Sequence, residues 1–483
     1  MKTRVVISTL VTAAVVAGCT QPPPEQQFLN DVARALGGAD RVGAARSLTI
    51  EAEGANFNLG QDMMPEASTQ EFRITAYTRH LDLENGRQRV QQTRTPQFAY
   101  FQGPQPQTQV MGLDGAVAYN VNPAGAAARI AAQAEQDRRA EFFHHPLSLV
   151  RATLAGAATV SNVRAEGAGR RADVTTPAGV MTMTIDATGV PVSITSPSAH
   201  PNLGDVELTT AFANYQGVNG LQLPASMSGR IDDFTMWTLQ ATSQALDGDI
   251  GDLAAPAAAA APQSPPPAPN VVAEAAGDGL WLLGGQSHHS ALVEFNDHLM
   301  LIDAPQSEAR TLAVIAKARE LVPGKPLTQL VVTHHHFDHT AGMRAAIAEG
   351  LTVITHRGNG AWVEAMAARP HSRQPDALAQ NPRPLTLEVF DNERTFADAS
   401  MALTLYHLTG NPHSDTMLMA YAPGARAVVE VDAFSPASSA HPYAANLWEH
   451  IQNRKLRVDR IVPLHGSIGP VAALAKAVSA QSN

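Results

Sequence analysis

The chain has 483 residues, and at about 150 residues per domain this length predicts two to four domains and excludes a single small module. A hydrophobic share of 44% and a charged share of 16% exclude a chain that is disordered throughout, while 33 Pro and 35 Gly argue for long connections. The net charge of −10 disfavours nucleic acid as a partner, and Cys19, the only cysteine, excludes disulfides and thiolate metal sites within one mature chain.

The first 18 residues have the pattern of an export signal. Lys2 and Arg4 precede an apolar run that is shorter than the roughly 20 residues needed to span a hydrocarbon core. The small residues before Cys19 resemble a bacterial lipobox, and Thr20-Gln21 is similar to lipoproteins sent to the outer membrane. We therefore expect lipidation at Cys19, a tether over residues 19–27, and a location in the cell envelope, anchored to the outer membrane and facing the periplasm. The alternative is an ordinary secretory signal with an incidental cysteine.

Residues 28–252 predict a mostly antiparallel β domain. A short helix is expected first, at Phe28–Leu36. The strands that follow alternate apolar and polar residues, which is typical of a sheet with one wet face. Clear examples are Glu71–Tyr77, Met181–Ile185 and Val206–Thr210. The pattern does not indicate what this domain does.

Residues 253–270 form a predicted Ala/Pro linker. Ala254–Asn270 reads AAPAAAAAPQSPPPAPN, without an aromatic residue or a charge. Its proline density favours an extended spacer of about 3.1 Å per residue, which would hold the flanking parts apart. A short alanine helix across Ala257–Ala261 is the alternative.

Residues 271–483 alternate predicted strands with helices. Strands are expected at Val293–Phe295, His298–Ile302, Leu330–Thr333, Leu351–Thr355, Ala402–His407, Met417–Tyr421, Ala427–Val431 and Arg460–Leu464. Helices are expected at Ser307–Leu321, Met343–Glu349, Ala444–Gln452 and Val471–Ala480. Several strand runs end in His or Asp, so the pattern predicts an α/β layered fold with its chemistry on the strand-end loops.

The stretch after the strand at Leu330–Thr333 carries four potential metal ligands within six residues: His334, His336, Asp338 and His339. Alternate residues of an extended segment point the same way, so His334 and His336 can bind one metal ion. Asp338 and His339 lie past the turn and can reach a second ion. A histidine-rich loop without function is the alternative interpretation.

The spacing His334-x-His336-x-Asp338-His339 resembles the HxHxDH signature of the metallo-β-lactamase superfamily. Further landmarks of that family follow in order over about 271–480, and they are Asp303, His413, Asp432 and His465. The resemblance implies an αββα sandwich at the carboxy terminus, behind the β-rich domain.

The resemblance also implies two zinc ions per chain. One would be held by His334, His336 and His413, the other by Asp338, His339 and His465, with Asp432 shared. Three protein ligands on each ion leave room for water, as catalytic zinc requires. Two cations lower the pKa of a bridging water, so that a metal-bound hydroxide can attack the substrate while Asp338 orients it and relays a proton.

Three neighbouring positions are given supporting or neutral roles. Asp303 is expected to accept hydrogen bonds beside the ligands rather than bind metal. His288-His289-Ser290 is expected near the mouth of the cleft. These residues either belong to a loop without function or make a supporting contact, for which His289 is the candidate. His335 is not expected to be a ligand.

These features favour a dinuclear zinc-dependent hydrolase of a small ester, lactone, thioester or related substrate. Asp432 at the shared position resembles the glyoxalase II and lactonase pattern. Two alternatives stay open, namely a metallo-β-lactamase without a thiolate ligand, and a ligand-binding or sensor lipoprotein with a vestigial metal domain. The expected partners are a small-molecule substrate and, through Cys19, a membrane; nucleic acid is not expected.

Overall fold

The computed structural model describes residues 21–67, 69–98, 105–261, 267–438 and 441–481. The predicted export signal and Cys19 lie outside these residues, so the anchor stays a prediction. Within the described residues, no helix is both long enough and apolar enough to cross a membrane.

The first part is built on one 13-stranded antiparallel sheet. Strands that follow one another in the sequence are paired, except β6 and β7, which form the two edges, and β1 also pairs with β13. The strands are β1 (Ser47–Asn58), β2 (Gln70–Asp82), β3 (Arg87–Pro96), β4 (Gln107–Asp114), β5 (Val117–Val121), β6 (Ala127–Arg129), β7 (Thr159–Glu166), β8 (Gly169–Thr176), β9 (Gly179–Ile185), β10 (Pro191–His200), β11 (Gly204–Val218), β12 (Leu221–Ile231) and β13 (Phe234–Leu246). The predicted antiparallel β domain is therefore confirmed.

One face of this sheet packs against helices. The helices are α1 (Pro24–Ala35), α2 (Ala39–Ala44), α3 (Ala132–Phe143) and α4 (Pro146–Leu154). In β9 the side chains of Met181, Met183 and Ile185 are buried, whereas Thr182 and Thr184 between them are partly exposed. This alternation follows from the two-residue period of a strand, which sends successive side chains to opposite faces.

The second part contains two sheets. The first has the order β14-β15-β16-β17-β18-β19-β20, and the second the order β21-β22-β23-β24-β25-β26. The strands are β14 (Val272–Gly277), β15 (Leu280–Gly284), β16 (Ser290–Glu294), β17 (Leu299–Ile302), β18 (Leu327–Val332), β19 (Thr352–His356), β20 (Leu387–Phe390), β21 (Glu393–Ala397), β22 (Ala402–His407), β23 (Leu418–Ala422), β24 (Ala427–Glu430), β25 (Arg460–Pro463) and β26 (Gly469–Pro470). The helices, including one in the linker, are α5 (Ala257–Ala260), α6 (Glu308–Leu321), α7 (Phe337–Thr340), α8 (Met343–Ala348), α9 (Gly360–Ala368), α10 (Ala377–Gln380), α11 (Ala444–Asn453) and α12 (Val471–Gln481).

Strand β17 shows how the layers are arranged. Met300 and Ile302 belong to the buried cluster between the two sheets, while Leu299 and Leu301 pack toward α6 and α8 on the opposite face. Helices α11 and α12 cover the outer face of the second sheet through residues such as Leu447 and Leu474. Two sheets thus lie face to face with helices outside them, which is the predicted αββα order.

The two parts of the chain are in contact, so the linker does not hold them apart as we expected. Leu203 and Val206 of the β-rich part lie in one buried cluster with Leu283 and Leu292 of the second part. Residues 257–260 form the short alternative helix, in which Ala259 is fully buried. Apolar alanine surface packs on the sheet here, and this burial outweighs the preference of proline-rich chain for an extended form.

Arg369, just after α9, joins the two parts through polar contacts. Its guanidinium donates to the carbonyl oxygens of Leu203 and Asp205 and pairs with the Asp232 carboxylate. In return, the Asp205 carboxylate accepts hydrogen bonds from the main-chain N–H groups of Ser372 and Arg373. The turn between β10 and β11 is therefore fixed to the second part by charge-assisted bonds.

We predict that Arg369→Ala lowers the free energy of unfolding by about 2 kcal/mol, because hydrogen bonds to charged groups are removed and their acceptors stay partly buried. Arg319→Ala is the control, since that side chain is half exposed and pairs with Glu349 at the surface, which should cost at most about 1 kcal/mol. Urea denaturation of the full chain measures both. Equal losses for the two variants would contradict the structural importance of this contact.

Candidate metal centre

The candidate ligands follow strands whose ends meet at one edge of the sandwich. Strands β17 and β18 run parallel and are followed by Asp303 and by residues 333–336. Strands β24 and β25 also run parallel and are followed by Asp432 and His465. Parallel neighbours end on the same side, so each pair brings its next residues together.

One group of side chains consists of His334, His336, His413 and Asp432, which each offer a ligand atom within 4.8 Å of the others. The rings of His334 and His336 are 4.4 Å apart between centroids, and those of His336 and His413 are 4.5 Å apart. His334 and His336 are fully buried. The structure thus brings together the three histidines that the resemblance places around one ion.

A second group consists of Asp338, His339, His465 and, in addition, His288, again within 4.8 Å of one another. Nε2 of His339 lies 2.9 Å from Nε2 of His465, and Nε2 of His288 lies 3.0 Å from Oδ2 of Asp338. From the sequence, two roles are possible for His288, either as part of a loop without function or as a supporting contact. The structure places its ring 4.0 Å from that of His465, at the edge of this group.

Asp432 lies between the two groups. Its Oδ2 is 3.1 Å from Nε2 of His413 and 3.2 Å from Nε2 of His339, while its Oδ1 is 2.9 Å from Nε2 of His465. One carboxylate therefore faces histidines of both groups, as expected of a ligand shared by two cations.

The nitrogens that point inward are suited to a cation. Nε2 of His334, Nδ1 of His336 and Nε2 of His413 are buried and make no hydrogen bond of suitable geometry with the residues that the structure describes, although Nε2 of His334 and of His413 lie 3.3 and 3.1 Å from Oδ2 of Asp432. Buried polar atoms are normally satisfied, so three such nitrogens around one point indicate a missing partner of positive charge. Imidazole nitrogens and carboxylate oxygens are also the donor set that zinc takes in proteins. The residues present therefore fit the metal that the family resemblance implies.

The outward nitrogens, in contrast, are held by the protein. Nε2 of His336 donates to the main-chain oxygen of Asp62 at 2.8 Å, and Nδ1 of His339 lies 3.0 Å from Oδ2 of Asp303. Nδ1 of His334 lies 3.2 Å from the hydroxyl of Thr333. Such outer partners fix the ring orientation and the tautomer of a ligating histidine.

The electrostatics of the two groups differ. Burial, reinforced by the charges of His334 and His413, holds the pKa of His336 well below its usual value. Burial also disfavours a charged His339, but the carboxylates of Asp432, Asp338 and Asp303 outweigh it and raise the pKa of that ring. His339 therefore lies among carboxylates, whose negative charge a bound cation would offset.

Asp303 is fully buried and acts as an acceptor at three contacts. Its Oδ1 accepts from the N–H of Thr333 at 2.9 Å, and its Oδ2 accepts from the Thr333 hydroxyl at 2.8 Å and faces His339. It adopts a positive φ of 62°, which Asp tolerates better than most residues. The structure thus gives Asp303 the supporting position expected from the sequence.

His289 lies beside the candidate centre without joining either group of ligands. Its ring belongs to neither group, and its Nε2 lies 2.9 Å from the main-chain oxygen of Gln286. The main-chain N–H of His289 donates to Leu464, next to His465. His288 reaches the metal centre instead, because the loop between β15 and β16 turns its neighbour away.

His335 is buried beside the centre but does not join it. Its ring lies 4.9 Å from that of His336 and 6.1 Å from that of Trp362. The alternation of the extended segment therefore turns His335 away from the ligands on either side of it.

Glu430 is a supporting residue that sequence reasoning missed. It is fully buried, and its Oε2 accepts from the N–H groups of Ala433 and Phe434 at 3.1 Å each. These bonds close the turn on which Asp432 adopts a φ of 54°. A glutamate at the end of a buried strand, two residues before a candidate ligand, was the available signal.

The two groups open into a cleft of about 480 Å³. Asp338, His413, Asp432 and His465 form part of its floor, and aromatic and amide side chains form the walls. The wall residues are Asn58, Gln61, Gln70, Phe98, Phe434, His441 and Tyr443. A small organic substrate fits a cleft of this size and mixed polarity.

Residues 283–429 match the model of the metallo-beta-lactamase superfamily. No curated protein matches the chain. Similar solved structures include a metallo-beta-lactamase from Pontibacter korlensis (18% identity, 44% of this chain and 100% of that chain, TM-score 0.36) and one from Hirschia baltica (15%, 43% and 96%, 0.35). Another is FIM-1 from Pseudomonas aeruginosa in the mono-zinc form (16%, 45% and 97%, 0.36).

The carboxy-terminal part thus has the metallo-β-lactamase fold and matches the superfamily model over residues 283–429, behind a large antiparallel β-sheet domain. It carries two His/Asp groups that are able to hold metal ions. The predicted family and fold class are confirmed.

We predict that Asp303→Asn weakens zinc binding about 10- to 100-fold, as is usual for loss of an outer partner of a ligand. The reason is that the side-chain NH₂ of the asparagine is a donor, and it would replace an oxygen that now accepts a hydrogen bond from Thr333 or faces His339. Competition with a chromogenic chelator measures the affinity. Asp297→Asn, in an exposed turn, is the control and should bind zinc like the parent. Unchanged affinity in Asp303→Asn would contradict the supporting role.

Proposed function

We propose that the carboxy-terminal domain is a dinuclear zinc-dependent hydrolase that acts on a small ester, lactone, thioester or related substrate. The observation that carries this proposal is the position of Asp432 between two groups of histidines, with carboxylate oxygens facing His413 on one side and His465 on the other. Two divalent cations held there would polarise the scissile group and lower the pKa of bound water.

Asp338 is the proposed catalytic residue. It lies at the floor of the cleft, and its two carboxylate oxygens are held by different partners, Gln61 at 2.7 Å and His288 at 3.0 Å. Burial opposes its ionisation, but the charge of His339 and the bond from His288 keep the pKa of Asp338 well below its usual value. The carboxylate is therefore available to orient an attacking water and to accept its proton.

The ligand set supports the substrate class. The only cysteine is Cys19, so a thiolate ligand, which some β-lactamase subclasses use, is not available to the second group. The aromatic and amide walls of the cleft offer apolar contact and hydrogen bonds to an acyl substrate. The alternatives remain a β-lactamase without a thiolate, and a binding or sensor protein with a vestigial metal domain.

We predict that the full chain carries two divalent ions and that its ligand variants lose them unequally. His336→Ala should remove mainly one ion, and Asp432→Ala should weaken both because its carboxylate faces both groups. Asp338→Asn can still contact a cation but cannot accept a proton, so its turnover should fall at least ~100-fold. His335→Ala is the control for metal content, since that ring belongs to neither group.

Metal analysis and steady-state rates on chromogenic ester, lactone, thioester, phosphodiester and cephalosporin substrates measure these effects. Fastest turnover of the cephalosporin would support the β-lactamase alternative. Two bound ions without turnover of any substrate would favour the vestigial domain. An Asp338→Asn protein with full metal and full activity would contradict the assigned role.

We also propose that Cys19 anchors the protein to the outer membrane on its periplasmic side. The support is sequence pattern alone, since a sole cysteine directly follows a short apolar run that ends in small residues. Cys19→Ala should abolish the incorporation of labelled fatty acid and leave the protein in the soluble fraction. Equal labelling of parent and variant would contradict this proposal.

A further inference from the structure

The connection between β1 and β2 reaches from the β-rich domain to the segment that carries the metal ligands. The main-chain oxygen of Gly60 accepts from the N–H of Phe337 at 3.1 Å, and that of Met63 accepts from the N–H of Asp415 at 2.7 Å. Between these two contacts lie Gln61 and Asp62. Successive residues of one loop are therefore bonded to the segment of His334–His339 and to the loop that carries His413.

The contact of Asp62 determines the protonation pattern of His336. A carbonyl oxygen can only accept, so Nε2 of His336 must carry the hydrogen in their 2.8 Å bond. Neutral imidazole has one protonated nitrogen, which leaves Nδ1 as the unprotonated atom that faces the first group. The β-rich domain thus selects the tautomer in which His336 can bind a cation.

The contact of Gln61 acts on the second group. Its Nε2 donates to Oδ1 of Asp338 at 2.7 Å, while Oδ2 of the same carboxylate is held by His288. This donor stabilises the ionised carboxylate and limits its rotation. Asn58, Gln70 and Phe98 of the same domain line the cleft beside these contacts.

We propose that the connection between β1 and β2 orients two side chains of the metal centre. Gln61 is the positioning residue for Asp338, and Asp62 is the positioning residue for His336. The β-rich domain then supports the metal centre directly, since it supplies hydrogen-bond partners for side chains of both groups and one wall of the cleft. This inference rests on the proposed dinuclear function.

Gly60 shows how closely this connection approaches the ligands. It has a φ of 77°, and a Cβ at this position would lie 2.4 Å from ring atoms of Phe337. Both the backbone conformation and the contact therefore require glycine. A side chain at residue 60 would move the connection away from residues 336–338.

The first test exchanges Gln61 for an apolar residue of similar length. In the full chain, Gln61→Met should weaken the second zinc ion about 10-fold or more, as expected for loss of an outer partner, and leave the first ion unchanged. The absorption spectrum of the cobalt-loaded protein should change at the same time, because Asp338 would be free to reorient. Gln222→Met is the matched control, since that side chain is exposed on β12, away from the cleft.

The second test compares two glycines of positive φ. Gly60→Ala should weaken both ions, because the contacts of Gln61 and Asp62 are displaced together. Gly86→Ala has a similar φ of 66° but meets no atom within 4 Å, so it introduces similar backbone strain without moving the connection. It should bind both ions like the parent.

The outcomes separate the two proposals. A parent chain that binds no ions overturns the proposed function and this inference with it. A parent that binds two ions, together with a Gln61→Met protein of unchanged second-ion affinity and cobalt spectrum, overturns the inference alone. Equal metal affinities in Gly60→Ala and Gly86→Ala would also overturn it. Loss of thermal stability without a change in metal affinity would show a purely structural role and count against the proposal.

Discussion

The candidate metal centre depends on one constraint, which is that an imidazole has only two nitrogens and that in three of its histidines the protein occupies the outer one. His336 is held by the Asp62 carbonyl, His339 by Asp303, and His334 by the Thr333 hydroxyl. The inner nitrogens then face a buried space, in which Nε2 of His334 and Nδ1 of His336 make no hydrogen bond of suitable geometry and Nε2 of His339 faces His465 and Asp432. Such an arrangement is costly for a protein without a cation, because unsatisfied buried polar atoms destabilise the folded state.

Asp303 connects the two halves of this arrangement. Its carboxylate bonds to Thr333, which contacts His334 of the first group, and also to His339 of the second. Asp303 and Asp432 both adopt positive φ values directly after or near strand ends. The strand that precedes each of them is buried between well-packed layers, so the fold can maintain a backbone conformation that is unfavourable for most residues.

The contact between the two domains changes how the amino-terminal part is understood. Its sheet packs helices on one face, and its loop at residues 60–63 is bonded to residues 336–338 and 415. Apolar residues of both parts also share one buried cluster. The described structure is therefore one in which a support of the metal centre comes from outside the metallo-β-lactamase domain, and our assignment of Gln61 and Asp62 builds on this contact.

The family resemblance, the layered α/β class and the antiparallel domain could be predicted from the sequence, because a motif with fixed spacing and strands of period two are local patterns. The family resemblance also pointed to all the residues that the structure gathers into two groups except His288. The approach of His288 rather than His289 to the centre depends on the fold, because a turn selects one of two adjacent side chains. The positions of Glu430, Gln61 and Asp62 also depend on the fold, because their partners are near in space. For Gln61 and Asp62 these partners lie more than 270 residues away in the chain. No spacing in the sequence records such contacts, which depend on how separate layers and domains pack.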